Sequence, residues 1–156
     1  MTSTTVEPIG DKQLRIQRAF DAPIDLVFAA HTDPAHLVQW MTGPQDMALV
    51  EAQMEVRAGG SFSWRYASPS GDEITMQGVF LEVEPPHRMV QRDDWGQDLP
   101  SPEIETTFEE IDGQTVATIT YTLPDQATRD HIIEDGGMVE GFSVSHDRLA
   151  TLLSSS

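Results

Sequence analysis

At 156 residues the chain has the length of one ordinary domain, and its 26 acidic against nine basic residues give a net charge of −17. This acidic excess opposes binding to phosphate backbones and anionic membrane surfaces, so we expect neither nucleic acid nor membrane as a partner. The absence of cysteine excludes disulfides, thiolate metal sites and cysteine nucleophiles.

Residues 1–12 are polar and predict a flexible N-terminal tail ahead of a single domain over residues 13–156. They have neither the basic start nor the apolar run of a signal peptide, and no stretch approaches the roughly 18 apolar residues of a membrane span. With the lack of cysteine, this favours a soluble protein of the cytoplasm.

Residues 13–20 predict the first strand, because apolar and polar residues alternate with the period of a half-buried strand. Arg18 is an exception, because it is a charged residue at a position where this alternation predicts an inward-facing apolar side chain. A short helix is predicted over residues 24–30. A second begins at Thr32-Asp33-Pro34, where a capping residue precedes proline, and Gly43-Pro44 is expected to end it.

Six β-rich runs separated by turn residues then predict an antiparallel meander. The predicted strands cover residues 48–56, 60–67, 73–84, 88–95, 103–111 and 115–123. Asp112-Gly113, between the last two, is the clearest hairpin signal. Gly78 inside the third run predicts a bulge or bend, which helps a sheet to curve.

The C-terminal part predicts a short helix from Asp125 to about Ile133 and, after Gly136-Gly137, a long helix of roughly 16 residues. One continuous stripe runs along the long helix, formed by Met138, Phe142, Ser145, Leu149 and Leu152. We expect this stripe to face the sheet.

This order of elements predicts an α+β fold in which a curved antiparallel sheet wraps around the long C-terminal helix, with two short helices after the first strand. That is the helix-grip (START-like/Bet v 1-like) fold. Short motifs along the sequence are consistent with this fold: Asp21-Ala22-Pro23, Thr32-Asp33-Pro34 with Trp40 and Gly43-Pro44, Arg57-Ala58-Gly59-Gly60-Ser61-Phe62, residues 78–90, and residues 138–142 with Asp147-Arg148-Leu149. In these motifs, the chain from about residue 13 to residue 153 resembles the Hsp90-ATPase-activator homologue 1 (AHSA1-like) branch of the START-like, or SRPBCC, superfamily.

The resemblance implies a fold with a cavity more than any particular activity, because a fold does not determine function. Eukaryotic activators carry this domain behind a second, chaperone-binding domain, which this chain is too short to hold. An Hsp90-type chaperone is therefore the least favoured partner. Phe142 stands where relatives often carry Trp, which keeps an aromatic side chain at that position.

Motifs for catalysis or metal binding are absent from the sequence, which has no Gly-x-Ser-x-Gly, phosphate-binding Gly-rich loop or His-Glu-x-x-His. His131 and Glu134 are three residues apart on a helical turn, but two ligands do not make a metal site. Asp93 and Asp94 are neighbours on a strand, so they point to opposite faces and do not converge for acid-base catalysis. We expect no metal and no cofactor, and an enzyme less readily than a binding protein.

Besides His131, three histidines lie in or near the predicted helices. For His31 and His36, at the junction of the two short helices, we expect capping or surface roles. His146 neighbours Ser145 of the stripe, from where it either reaches the rim of a pocket or, as we favour, is exposed on the flanking face.

The aromatic residues indicate function better. Alternating side chains of three strands share a face, namely Phe62, Trp64 and Tyr66, then Ile104, Thr106 and Phe108, then Ala117, Ile119, Tyr121 and Leu123. Against the helical stripe they form either a packed core or a cavity, and the resemblance favours a cavity. The candidate ligand-binding residues are Trp40, Phe62, Trp64, Tyr66, Trp95, Thr106, Phe108, Ile119, Tyr121, Met138, Phe142, Ser145 and His146.

We interpret the protein as a non-catalytic carrier or sensor that binds a small hydrophobic or aromatic molecule between the sheet and the C-terminal helix. The alternative is a cyclase- or hydrolase-like enzyme that uses pocket Tyr and His residues. A co-chaperone of the Hsp90 type is the third interpretation, and the sequence assigns no oligomeric state.

The acidic composition leads to a prediction about salt. Lys12 is the only lysine, a composition that fits either a salt-adapted source or a genome that favours Arg codons. We expect the melting temperature to rise between low and molar KCl, because added salt screens repulsion within a chain of net charge −17. A melting temperature that stays flat or falls over this range would show that self-repulsion is not a significant part of the stability.

Overall fold

The computed structural model describes residues 3–42, 47–94, 96, 101–135 and 137–154. Within these residues the chain forms eight strands and four helices. The strands are β1 (Thr5–Ile9), β2 (Gln13–Phe20), β3 (Ala48–Met54), β4 (Ser61–Ala67), β5 (Glu73–Glu84), β6 (Arg88–Asp94), β7 (Glu103–Ile111) and β8 (Gln114–Thr122). The helices are α1 (Ile24–Thr32), α2 (Pro34–Trp40), α3 (Gln126–Asp135) and α4 (Gly137–Ser154).

The strands form one open, curved, antiparallel sheet in the order β1-β2-β8-β7-β6-β5-β4-β3. Helix α4 contacts β2 of this sheet and each of the other three helices. This is the helix-grip arrangement, so the predicted fold class is confirmed. The predicted first strand corresponds to β2, and the six strands of the meander correspond to β3 through β8 with ends that differ by no more than two residues.

The prediction of a flexible tail over residues 1–12 is corrected for Thr5–Ile9. These residues form β1, which pairs with β2 along its whole length. The connecting turn contains Gly10, whose φ of 56° lies in the left-handed region that glycine adopts readily. β1 lies at the edge of the sheet, where Val6 and Ile9 are only half-buried. An edge strand buries little, so its sequence lacks the apolar alternation that identifies β2.

Gly78 does not form the predicted bulge. The irregularity between β5 and β6 lies between Phe80 and Glu82 instead. A Cβ at Gly78 would stand 2.4 Å from a carbon of the Phe62 ring, closer than real Cβ contacts allow. The glycine therefore makes room for an aromatic ring that lies over the backbone of β5.

Arg18 points inward and is buried, so it continues the inward set of β2 rather than interrupting it. Its Nη1 donates to the Asp147 carboxylate on α4 at 2.8 Å and to Thr4 Oγ1 at 3.3 Å. Thr4 Oγ1 in turn lies 2.9 Å from Nδ1 of His146. These contacts connect the N-terminal segment, β2 and α4, and the ion pair offsets the cost of burying the guanidinium.

The stripe predicted on the long helix lies on the side of α4 that faces the protein interior. Ser145 and Leu149 are buried, Phe142 and Leu152 are half-buried, and Val144 on the opposite face is 42% exposed. The side chain of Met138 lies outside the described residues, as do Gly136 and the Gly43-Pro44 end predicted for the second short helix.

Helix α2 begins as predicted, since the Asp33 side chain accepts a hydrogen bond from the backbone N–H of Ala35 at 3.0 Å and Pro34 starts the helix. Helix α1 extends two residues beyond its predicted end, to Thr32. Among the helices that the structure describes, none combines the length and apolar character needed to cross a membrane.

Candidate functional site

A cavity of about 570 Å³ lies between the sheet and the helices. Its volume is within the range of sites that hold small organic molecules. The helices and the segment after α2 contribute His31, Leu37, Trp40, Met41, Thr42, Ile132, Asp135, Gly141, Phe142, Ser145 and His146. The sheet contributes Met54, Trp64, Tyr66, Ile74, Thr75, Met76, Phe80, Met89, Gln91, Asp93, Ile104, Thr106, Ile119 and Tyr121. Ile74, Thr75 and Asp135 are exposed, so the cavity opens to solvent beside β5 and α3.

Strand pairing explains why distant residues meet on this wall. Partners that pair across antiparallel strands share a face of the sheet. Two neighbouring rows of such partners cross β8, β7 and β6, one made of Tyr121, Ile104 and Gln91 and the other of Ile119, Thr106 and Met89. The result is a largely apolar surface that carries a few polar groups at fixed positions.

Asp93 is the centre of the polar group on the sheet side. Its side chain is buried, and Gln91 Nε2 donates to its Oδ1 at 2.8 Å. Burial and the negative charge of Asp93 raise the pKa of both Tyr66 and Tyr121 above the ordinary value. Both phenols therefore stay protonated at neutral pH.

His31 belongs to the helical wall. Its Nδ1 lies 2.8 Å from the carbonyl oxygen of Val27, and because a carbonyl only accepts, Nδ1 carries the proton. Nε2 is then an acceptor, and it has no hydrogen-bond partner within the described part of the chain. Burial lowers the pKa of His31 to about 4, despite the opposing effect of the bond to Val27, so the ring is neutral at pH 7.

His146 lies in the same wall and is fully buried. Its ring packs edge-on against Phe20 and Phe142, with centroid distances of 5.5 and 5.7 Å. Burial, followed by repulsion from His31 once that ring is itself protonated in acid and from the charge of Arg18, lowers the pKa of His146 to about 3. This ring is therefore also neutral at pH 7. Among the described residues, no group forms a hydrogen bond with its Nε2.

Trp40 and Ser145 are held in the wall by hydrogen bonds. The indole N–H of Trp40 donates to the Ala30 carbonyl at 2.9 Å, which connects α2 to α1. Ser145 Oγ accepts from the backbone N–H of Thr42 at 3.0 Å, and the two side-chain hydroxyls are 2.8 Å apart. Both groups are thus engaged within the protein, so they shape the cavity more than they offer polar contacts to a ligand.

The chemistry available in this site is burial of apolar surface, with polar contacts at the Asp93 group and at two neutral imidazoles. No set of three or more His, Cys, Asp or Glu side chains able to hold a metal occurs among the residues that the structure describes. His131 and Glu134 are both exposed on α3. Among the described residues, the lining holds a neutral base but no activated nucleophile of a recognised type.

Comparison with known proteins identifies the family to which this chain belongs. The chain matches the family described as "Activator of Hsp90 ATPase homolog 1-like protein" over residues 21–154. It belongs to that family. This confirms the resemblance found in the sequence, while the comparison with curated proteins found no match.

Solved structures with the same fold come from several bacteria. A protein from Rhodobacter sphaeroides is 20% identical with a TM-score of 0.88, and the alignment covers 97% of this chain and 98% of that one. A protein from Mycobacterium smegmatis is 24% identical with a TM-score of 0.83, covering 99% and 98%. One from Staphylococcus epidermidis is 26% identical with a TM-score of 0.81, covering 97% and 94%. What this member of the family shares with them is the fold along almost its whole length.

Nine of the candidate residues proposed from the sequence line the cavity in this family member. They are Trp40, Trp64, Tyr66, Thr106, Ile119, Tyr121, Phe142, Ser145 and His146. Our preference for an exposed His146 is therefore corrected, because the residue is on the buried face of α4, where its ring packs against Phe20 and Phe142. Trp95 and the side chain of Met138 lie outside the described residues.

Phe62 and Phe108 do not line the cavity, although both are buried. Phe62 packs behind Trp64, with ring centroids 5.0 Å apart, where Gly78 leaves space for it. Phe108 lies under α1 and contacts Phe28 at a centroid distance of 5.7 Å. Their strand faces were predicted correctly, but each is covered by neighbouring core residues.

Sequence reasoning missed His31, Gln91 and Asp93 as lining residues. The pattern did hold a signal for the last two, because Met89, Gln91 and Asp93 alternate along β6 on its inward face. Asp94 is exposed, so the two aspartates point opposite ways as predicted. The surface role expected for His31 is wrong, since it follows Val27 by one helical turn on the buried face of α1, whereas His36 is exposed as expected.

Proposed function

We propose that the protein binds a small hydrophobic or aromatic molecule in the cavity and acts as a non-catalytic carrier or sensor. The observation that carries this proposal is a space of about 570 Å³ with aromatic and aliphatic walls. Protein interiors are otherwise close-packed, so a space of this size is not an ordinary packing defect. The family's fold supports the same function, and the cysteine-free sequence supports a cytoplasmic location.

Apolar burial sets the expected affinity. A two-ring aromatic ligand that buries roughly 250 Å² gains about 6 kcal/mol at about 25 cal/mol per Å². One or two hydrogen bonds to the phenols of Tyr66 and Tyr121 add to this, and the lost freedom of the ligand subtracts from it. We therefore expect dissociation constants in the micromolar range and modest selectivity for ligand shape.

Filling the cavity provides the test. We use 2-naphthylmethanol as a neutral probe and measure its binding by isothermal titration calorimetry. Thr106→Trp places an indole inside the cavity from the centre of the sheet wall and should weaken binding at least tenfold. Thr107→Trp is the matched control, because the next residue of β7 faces away from the cavity and should bind the probe as the wild type does.

Two results would contradict the proposal. One is a wild-type protein that does not bind the probe or any other member of a panel of two-ring aromatic compounds. The other is equal binding by Thr106→Trp and Thr107→Trp, with both variants shown to be folded by circular dichroism, which would place the probe elsewhere on the protein.

One observation favours the enzyme alternative, namely the two neutral imidazoles whose Nε2 atoms lack partners in the described part of the chain. A neutral imidazole beside a bound molecule is a potential general base. If a bound compound is converted to product, and Tyr121→Phe or His31→Phe abolishes turnover while affinity is retained, the protein is an enzyme of the cyclase or hydrolase kind.

A further inference from the structure

Buried nitrogen atoms without a hydrogen-bond partner are concentrated at the cavity. Four buried side-chain nitrogens lack a partner among the residues that the structure describes, and three of them belong to residues that line the cavity. These three are Nε2 of His31, Nε1 of Trp64 and Nε2 of His146. Buried polar atoms are rarely left without a partner, because their lost hydration is then uncompensated. We therefore expect a molecule bound in the cavity to supply a missing partner.

The hydrogen-bonding role of His31 Nε2 is fixed by the rest of its ring. The bond from Nδ1 to the Val27 carbonyl keeps the proton on Nδ1, so Nε2 carries a lone pair and accepts. The indole N–H of Trp64 only donates. Nε2 of His146 can take either role, because its Nδ1 lies 2.9 Å from the Thr4 hydroxyl, which donates or accepts. His31 therefore specifies what its missing partner is, namely a hydrogen-bond donor.

The two aromatic rings that pack against His31 supply no such donor. Trp40 and Phe108 lie at centroid distances of 4.9 and 5.0 Å from the imidazole. The indole N–H of Trp40 already donates to the Ala30 carbonyl, and phenylalanine has no polar hydrogen. The two nitrogens of an imidazole point in diverging directions, so Nε2 points away from the carbonyl of Val27. A donor attached to an apolar body fits these surroundings, because the walls hold the body by burial.

A hydroxyl group matches this acceptor. It brings a single donor to a single acceptor, and it has no charge that must be desolvated. A carboxylate brings a charge and no donor. The part of the lining that the structure describes contains neither Lys nor Arg to balance that charge. The uncharged hydroxyl is therefore the better partner for a neutral imidazole.

We propose that the cavity selects small apolar alcohols and phenols, whose hydroxyl donates a hydrogen bond to Nε2 of His31 while the apolar body lies against the walls. This inference rests on the proposed function and specifies the class of ligand. His31 is then a specificity-determining residue, because an analogue without the O–H leaves a buried acceptor without a partner.

Two probes with one skeleton isolate the O–H group: 2-naphthylmethanol and its methyl ether, 2-(methoxymethyl)naphthalene. Both carry an oxygen that accepts hydrogen bonds, but only the alcohol donates. We expect the alcohol to bind at least tenfold more tightly in isothermal titration calorimetry, because the ether leaves His31 Nε2 without a donor. Equal affinities contradict this inference alone, whereas failure of both probes and of related aromatic compounds to bind contradicts the proposed function.

His31→Phe separates the hydrogen bond from the size of the added methyl group. It keeps a ring against Trp40 and Phe108 and removes the acceptor, so the alcohol and the ether should bind within about threefold of each other. His36→Phe is the matched control, because the same substitution at an exposed position of α2 should leave the preference for the alcohol intact. An undiminished preference in folded His31→Phe would show that the methyl group causes it and would overturn the inference.

A second measurement needs no variant and covers the case in which His31→Phe does not fold. In wild-type protein with ¹⁵N-labelled histidine, we expect His31 Nε2 to resonate as an unprotonated nitrogen. Adding 2-naphthylmethanol should move this resonance towards the frequency of a protonated nitrogen, and the ether should not. Nuclear Overhauser effects (NOEs) between the probe's methylene and the His31 ring should accompany the change. A proton on Nε2 in the free protein, or a response confined to His146, would overturn the inference.

Discussion

Replacing Leu149 by alanine is expected to lower the free energy of unfolding by about 2–5 kcal/mol. Leu149 is 1% exposed and belongs to the larger buried cluster, to which Phe20, Val27 and Leu37 also belong. Removing its methyl groups leaves a hole where α4 meets the other helices and the sheet. Urea denaturation followed by circular dichroism measures the change.

The control for this substitution is Val144→Ala on the same helix. Val144 is 42% exposed, so its truncation should change the free energy of unfolding by no more than about 0.5 kcal/mol. A loss below about 0.5 kcal/mol for Leu149→Ala as well would mean that the packing described for α4 is wrong.

Acidification from pH 7 to about pH 4 is expected to remove about 3 kcal/mol of stability through His31 alone. Burial lowers the pKa of His31 to about 4 in the folded protein, compared with 6.5 for an unburied histidine. The unfolded chain therefore binds this proton first as the pH falls. The contribution is fully present above pH 6.5 and is lost progressively as the pH falls from there towards 4.

His31→Phe isolates this effect, because it keeps a ring against Trp40 and Phe108 and removes the titration. The free energy of unfolding should fall less between pH 7 and pH 4.5 in this variant than in the wild type. His36→Phe, at an exposed position, should behave as the wild type does. The carboxylates titrate in all three proteins, so their effect cancels in the comparison. Equal losses in the wild type and His31→Phe would show that His31 is not buried as a neutral ring.

Periodic patterns made most of the fold predictable. The six strands of the meander alternate with period two between turn residues, and α4 carries a stripe at helical spacing. Burial of one face imposes these patterns on the sequence. β1 lacks such a pattern because it is an edge strand with Val6 and Ile9 half-buried, and so it was missed.

The cavity was less predictable than the fold. Trp64, Tyr66 and Tyr121 were placed on the inward face correctly, but an inward face looks the same whether it meets a packed core or an open space. Phe62 and Phe108 show this, because they share those faces and are covered by other side chains. His31 was missed because a polar residue on a short helix resembles a surface residue until the packing of α1 against α2 is known.

The most direct test of the claim that a ligand occupies the space between the sheet and α4 is an isotope-filtered NOE measurement. The protein is labelled at its isoleucine methyl groups and saturated with 2-naphthylmethanol. We expect NOEs from the ring protons of the probe to Ile104 and Ile119, which line the cavity on neighbouring strands. NOEs confined to Ile111, which is 49% exposed and outside the lining, would show surface binding and contradict the claim.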